Sequence, residues 1–595
     1  MKRYKISGLI LMLIFLSNYD KSQNATISST RVDKTVQFHH FDLYNYTFMH
    51  SSDWHYSIHK TNAKIYKVLN NPIPVHFHFV TGDLVDSKSR DGLTSHQYKF
   101  EEDQVKQVLT SYTVKNKQLN EDFESFFTVL GNHDIYDTLD NQKKREHHII
   151  TTPQAKLVML DTGPFGLGRP LNFFGFIDDL VLELIEMSLG NTPIIIMAHY
   201  PLSTTFYSKK LLDLLKNYPY PVYYLCGHLH YFIKPFGYHL KTLYNGLIEL
   251  EVGDVKEHAA SRLFHVSDEG ITFADVDNHN YTNAIIISPL NHRYLINDPP
   301  EWDKCIKVKN FGAHTLHLFT DNDHIFTLNN ATDTTYIHCI TYIPKSITLK
   351  AVGATTFTQE IYLYKPQLNE LKWVERWTYW TYSFNYADGF LNSFYFFYFL
   401  QFIFIFSLLF SKGKFHSHWL SFSAIKHTYS QVWIVFLITS ISFLFMPLFY
   451  GSFAKDNLRC SVFEAPFYPF GTRYNHHDVF QFDFLIWVVL FLYYENFILF
   501  FGFHIHNFRS RIQQKWITKL APALVIYIKW YLLKGMFTWY IYEDRDCFST
   551  NWLYYLWNAF GFLQLFVMPV SWIFLRYLYF IITNKLSIGF RPKDL

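Results

Sequence analysis

Between residue 37 and about residue 280, short apolar runs alternate with amphipathic stretches, the pattern of a layered α/β domain. "PVHFHFV" runs into "TGDLVDSKS" and "FFTVL" into "GNHDIYD"; "PIIIMAHYP" and "VYYLCGHLHYF" follow. Each is of strand length and ends in a turn. From 283 to about 367 the texture becomes short alternating strands ("NAIIIS", "HTLHLF", "TYIHCITYI", "SITLKAV") broken by Asn, Asp and Pro, which predicts a small β-sandwich. From Gly389 onward, apolar segments near 389–410, 432–450, 484–503, 520–540 and 552–575 are each long enough to span a bilayer as a helix. The pattern predicts an α/β domain over 37–280, a β domain over 283–375, about five membrane helices over 389–583 and a tail over 584–595.

Composition adds a side of the membrane to this outline. "MKRYKISGLILMLIFLS" places Lys2, Arg3 and Lys5 before about ten apolar residues, so residues 1–25 read as a signal peptide; with no small-x-small cleavage site, an N-terminal anchor fits as well. If the following domain is exported, the cytosolic pieces 411–431, 504–519 and the tail hold ten basic residues and one acidic one. The opposite loops hold four and six. The sequons at Asn24, Asn45, Asn280 and Asn330 all precede Gly389, and all five cysteines fall on the exported side. Cys305 with Cys339, in one small domain, and Cys460 with Cys547, in the two exported loops, are candidate pairs that leave Cys226 over; free buried thiols are the competing expectation. The overall balance, 53 basic against 50 acidic residues, points to no nucleic-acid partner.

Candidate chemistry gathers where apolar strands end. Asp53 and His55 follow "YNYTFM"; Asp83, Asn132 with His133 and Asp134, His199, and His228 with His230 each follow a later strand. Side chains grouped at one edge of a layered sheet converge in space. Imidazoles mixed with oxygen ligands suit two divalent ions, with a carboxylate able to bridge them. Gly82, Gly131 and Gly227 allow the sharp turns that bring such ligands together.

The ordered blocks "DWH", "GDLVD", "GNHD", "AHYP" and "GHLH" resemble the calcineurin-like metallophosphoesterase superfamily. Over "GRPLNFFGF", "YLCGHLH", "LIELEVGDVKEHAASRLFHVSDEGITFADV" and the multi-helix end, the chain is similar to the transmembrane protein 62 family. The resemblance implies an α/β metallophosphoesterase domain, an immunoglobulin-like β-sandwich and a multi-pass transmembrane bundle. It implies two divalent metal ions (Mn, Fe or Zn), one held by Asp53, His55 and His230 and the other by Asn132, His199 and His228, with Asp83 as bridge. The resemblance also casts His133 as the residue facing the scissile phosphate, as acid or as transition-state stabiliser, and Asp134 as its orienting neighbour. The function so implied is a membrane-tethered phosphoesterase on the lumenal or extracellular side of the secretory pathway or cell surface. It would cleave phosphate esters with metal-activated water, with a phosphorylated substrate of open class and membrane lipid as partners. A non-catalytic receptor or scaffold keeping the fold is the competing expectation, which loss of a ligand would favour; none is lost.

Other polar residues read as structural. His76 and His78 pack or meet solvent on their strand, His39, His40, His147 and His148 are loop pairs, and Asp86 bonds its own turn. Trp54, bulky for its place, shapes the pocket rim, while Phe173 and Phe174 pack and Arg169 is solvated, with a bidentate contact from Arg169 to a phosphate as the competing expectation. In the membrane segments Glu495 and Lys529 are set to pair, with Asp483 and Arg576 near the interfaces.

Overall fold

The computed structural model describes residues 35–364, apart from segments 71–72, 89–97, 120–124, 136–144, 164–173, 231–239, 245–246, 277–283, 296–301, 322, 330–334 and 354–355, together with residues 373, 385–386, 450–452 and 459–461. In chain order the first domain runs β1 (Thr35–His40), β2 (Tyr46–Ser51), α1 (Ala63–Leu69), β3 (Phe77–Thr81), α2 (Lys99–Leu119), β4 (Ser125–Val129), β5 (Glu146–Thr151), β6 (Lys156–Met159), β7 (Gly175–Phe176), α3 (Asp179–Ser188), β8 (Ile194–Met197), β9 (Thr205–Phe206), α4 (Ser208–Leu215), β10 (Val222–Cys226), β11 (Leu240–Tyr244), β12 (Leu247–Glu251), α5 (Val255–His258), β13 (Ser261–Ser267) and β14 (Gly270–Val276).

The strands form two sheets, one of seven in the order β1-β5-β6-β8-β10-β12-β11 and one of five in the order β14-β13-β2-β3-β4. Between them lies the inner core, where Phe48, Phe77, Phe79 and Phe264 of the smaller sheet meet Ile195, Met197, Leu225 and Leu250 of the larger. The outer faces are covered in turn. Ile65 of α1 and Val105 of α2 pack over Val80 on the small sheet, and α3 and α4 cover the large one. Helix α3 follows from its sequence: Val181, Leu184, Ile185 and Ser188 recur at helical spacing as its buried stripe, and Asp178 caps it by accepting from Val181 N. β2, β3 and β4 run parallel, as do β8, β10 and β12, so each set sends its following loops to one edge.

The second domain contains β15 (Ala284–Ser288), β16 (Cys305–Asn310), β17 (Thr315–Thr320), β18 (Asp323–Asn329), β19 (Thr335–Cys339), β20 (Ser346–Val352) and β21 (Thr356–Tyr362). Sheets β15-β16-β19 and β18-β17-β20-β21 enclose one core that includes Ile286, Val308, Leu318 and Leu349. Cys305 and Cys339 stand opposite each other on β16 and β19 and form a disulfide; Cys226 is free and buried. Gln359 joins the domains, its Nε2 donating to Phe273 O at 3.1 Å while its Oε1 accepts from Ile286 N at 2.8 Å.

The leader, the five apolar segments and the intramembrane charges lie outside the described residues, apart from β22 (Tyr450–Ser452) and β23 (Arg459–Ser461), which pair antiparallel. Among the described residues no helix is long and apolar enough to cross a membrane.

Candidate metal centre

Every predicted ligand sits just beyond the carboxyl end of a parallel strand. Asp53 and His55 follow β2, Asp83 follows β3 and Asn132 follows β4; His199 follows β8, and His228 and His230 follow β10. The first four come from the small sheet and the last three from the large one. Asp53, His55, Asp83, His228 and His230 all have positive φ, a backbone state that costs a non-glycine residue about 1–2 kcal/mol. Two glycines let the loops close on each other. A Cβ on Gly131 would strike the Asp83 backbone and carboxylate, and one on Gly227 would strike Ser52 and the Asp53 carboxylate.

Two groups of ligand atoms result. In the first, His230 Nε2 lies 3.0 Å from both Asp53 Oδ1 and His55 Nε2, and His55 Nε2 lies 3.5 Å from Asp83 Oδ2. Asp53, His55, Asp83 and His230 offer one ligand atom each, all within 4.8 Å of one another. In the second, Asn132 Oδ1 lies 3.0 Å from both His199 Nε2 and His228 Nδ1, and His199 Nε2 lies 3.5 Å from Asp83 Oδ1. Asp83 thus turns one oxygen to each group.

The electrostatics match a cation-binding set. Burial opposes charge on Asp53, yet His230, with His199 and His55, holds its carboxyl well below the usual carboxylate range. Asp83 goes the other way: burial, then the negative charges of Asp53 and Asp134, push it well above that range. Burial also pushes His55 and His133 well down, leaving neutral imidazoles, the ligand form. His199 Nδ1–H donates to Thr81 O at 2.7 Å, so its Nε2 lone pair faces the Asp83 carboxylate, an arrangement of two acceptors that a cation resolves. Hard oxygen with imidazole is the mixture that divalent Mn, Fe and Zn accept.

His133 stands beside both groups. Its backbone N donates to Asp83 Oδ1 at 2.8 Å, and its Nδ1–H donates to Asp86 O at 2.6 Å. Nε2 then lies 3.9 Å from Asp83 Oδ2. Asp134 braces the loops, accepting from Gly131 N at 2.8 Å and Val85 N at 3.1 Å.

Several supporting residues escape a reading of the sequence. Asp86 does not serve its own turn; its Oδ1 lies 3.2 Å from His55 Nδ1 and orients that ring, completing a His55–Asp86–His133 cluster. Glu251 Oε1 accepts from Leu229 N at 3.0 Å, between His228 and His230, and Glu249 Oε1 accepts from Leu202 N at 2.6 Å in the loop after His199. Trp54 is not at a rim but buried, donating to Ser51 Oγ at 3.0 Å and packed edge-on against Phe126. His39, His40, His147 and His148 lie on β1 and β5 rather than in loops. His78 packs as expected, buried between Ser51 and Tyr112. Phe174 packs against Phe206 with the rings tilted, while Phe173 and Arg169 lie outside the described residues.

Residues 46–232, the stretch that holds all of these ligands, match the family model described as calcineurin-like phosphoesterase. The chain is similar to mouse "Transmembrane protein 62", with 28% identity over 36% of this chain and 35% of that protein. It is also similar to an Arabidopsis thaliana protein named "Putative metallophosphoesterase", with 26% identity over 41% of this chain and 42% of that one. The matched stretch thus spans well under half the length of either relative.

Proposed function

We propose that the calcineurin-like phosphoesterase domain of residues 46–232 belongs to a membrane-tethered hydrolase of phosphate esters that works with two divalent metal ions. The observation that carries this reading is Asp83, whose two carboxylate oxygens each lie 3.5 Å from an imidazole nitrogen of a different ligand group. Asp53, His55 and His230 would hold one ion, Asn132, His199 and His228 the other, with Asp83 between them. When bound, such a pair supplies Lewis-acid stabilisation of phosphoryl transfer and an activated water at neutral pH.

The chain's own groups do the rest. The bond from His133 Nδ1–H to the Asp86 carbonyl fixes the ring, and Nε2 is presented beside Asp83. There its lone pair can take a proton from the attacking water and, once protonated, stabilise charge building on the phosphate or pass that proton to the leaving oxygen. Asp134, through its two backbone amides, keeps the Asp83 and Asn132 loops at fixed separation.

The catalytic side is lumenal or extracellular in this reading. The Cys305–Cys339 disulfide suits an oxidising compartment, and Asn45, the sequon asparagine among the described residues, is exposed just before β2. The substrate class spans phosphorylated lipid head groups, nucleotides, glycan phosphates and phosphoproteins. The test is metal content and hydrolysis of mono- and diester phosphates by the full-length protein in detergent, beside a His133→Ala control. About two metals per chain with His133-dependent turnover is the expected result. A folded chain with neither metal nor turnover after Mn, Fe and Zn are supplied favours a scaffold.

A further inference from the structure

Lysines from three separate stretches of chain converge on one carboxylate beside the ligand groups. Lys60 Nζ lies 2.8 Å from Asp86 Oδ2, and Lys256 Nζ lies 3.1 Å from Asp86 Oδ1. Lys88 Nζ comes to 3.8 Å from the same Oδ1. Asp86 is already engaged with His55 Nδ1 at 3.2 Å. One carboxylate that also orients a ligand ring faces two ammonium groups, so Asp86 by itself leaves positive charge over on this flank.

That charge faces outward. The Lys60 side chain is 54% exposed and that of Lys256 21%, whereas the Asp86 side chain beneath them is 1% exposed. His230 is the open ligand, its side chain 30% exposed against 1% or less for Asp53, His55, Asp83 and His199. The field of Lys256 reaches the ligands: after burial, it is the next force keeping His55 neutral. Lys60 follows the loop of Asp53 and His55, and Lys256 opens α5 behind Asp254, whose carboxylate caps that helix by accepting from Glu257 N. Lys60 thus sits on the loop that carries Asp53 and His55, and the Lys256 backbone N donates to Asp53 O at 3.1 Å.

We propose that Lys60 and Lys256 form an anion subsite beside the metal centre, so that the preferred substrate carries a second negative group close to the phosphate that is cleaved. This rests on the phosphoesterase reading above. An ammonium gives its strongest contacts to phosphate or carboxylate oxygens, and two of them side by side favour a multiply charged ligand over a singly charged one. A nucleoside diphosphate and a bisphosphorylated inositol head group present the same chemistry, two anionic groups on one small unit.

The test uses full-length protein in detergent, loaded with Mn and also stripped of metal, titrated calorimetrically with methylphosphonate and methylenediphosphonate. The first carries one anionic group and the second two, and neither is hydrolysed. Wild type is expected to prefer the diphosphonate by about tenfold or more in both states. Lys60→Gln/Lys256→Gln should bring the two ligands within about threefold, and Lys60→Arg/Lys256→Arg should keep the preference. If the double glutamine variant does not fold, the single exposed change Lys60→Gln carries the test, with about a threefold loss of preference expected. A preference ratio unchanged by removing the lysine charge overturns the subsite. Competition by ADP or by inositol 1,4-bisphosphate then separates the two sources, and lysine-independent competition by both also overturns it. Lysine-dependent binding in a chain that cleaves no phosphate ester would refute the phosphoesterase reading and leave the subsite standing.

Discussion

His55 and His230 bring their Nε2 atoms to 3.0 Å although 175 positions separate them in the chain. They arrive from loops of opposite sheets, and two imidazole lone pairs at that distance repel unless a proton or a cation lies between them. Asp53 Oδ1, 3.0 Å from His230 Nε2, adds the negative charge that favours a cation there.

Asp53→Asn or His230→Ala is therefore expected to lower bound metal and turnover together. His133→Ala is expected to keep the metals and lose about 10²- to 10⁴-fold in turnover, the usual contribution of a positioned acid or base. Metal by mass spectrometry and ester hydrolysis on the same preparations check this. Metal loss in His133→Ala as large as in the other two would remove the role assigned to its ring.

Glu251 is expected to act on metal affinity from behind the ligands. Its Oε1 holds Leu229 N, the amide between the two histidines of "GHLH", in a fully buried setting where burial and then Glu249 push its carboxyl well up. Glu251→Ala should weaken metal binding by roughly 10- to 100-fold. Glu251→Gln, which keeps an oxygen for that amide, should recover most of the loss. Chelator competition measures both, and a glutamine variant as weak as the alanine one would discount the hydrogen bond.

Asp161 gives a pH signature distinct from the metals. Burial, only partly offset by Arg145, raises its carboxyl from 3.8 to about 7. The fold thus holds a proton that the unfolded chain has released. Its contribution is favourable below pH 4 and is lost as the pH rises toward 7, by an amount on the order of 4 kcal/mol. Asp161→Asn should flatten that decline, so the variant gains on wild type between pH 4 and 7 in denaturant melts. Parallel curves would mean that Asp161 is ionised in the folded protein.

Replacing both Cys305 and Cys339 by serine opens a loop of sequence separation 34 and should cost the β domain about 4 kcal/mol. Ester hydrolysis, housed in the other domain, should persist at low temperature. Domain-resolved hydrogen exchange distinguishes this from a general loss of stability, which would show the two domains unfolding as one.

The convergence of the candidate ligands was legible in the sequence because each lies where an apolar strand stops, and strand ends in parallel sheets share an edge. Their supports were not. In "LIELE" the glutamates alternate with Ile248 and Leu250, which points them away from the inner core, and alternation alone takes that face for solvent. The outer face is instead covered, and Glu249 and Glu251 are 3% exposed with their oxygens on loop amides. His39 and His148 misled for a related reason. Paired histidines break the apolar rhythm of a strand, yet β1 and β5 run parallel there and set His39 Nε2 3.4 Å from His148 Nδ1. Trp54 looked oversized between two ligands because its burial against Phe126 and His78 depends on strands far along the chain.

The positive φ angles at Asp53, His55, Asp83, His228 and His230 also limit which neighbours in sequence space these positions can reach. Asparagine and glycine tolerate that backbone, whereas valine and isoleucine do not. A descendant that abandoned the chemistry but kept the fold would therefore drift to asparagine or glycine at these five sites, leaving the turns as a relic of the vanished ions.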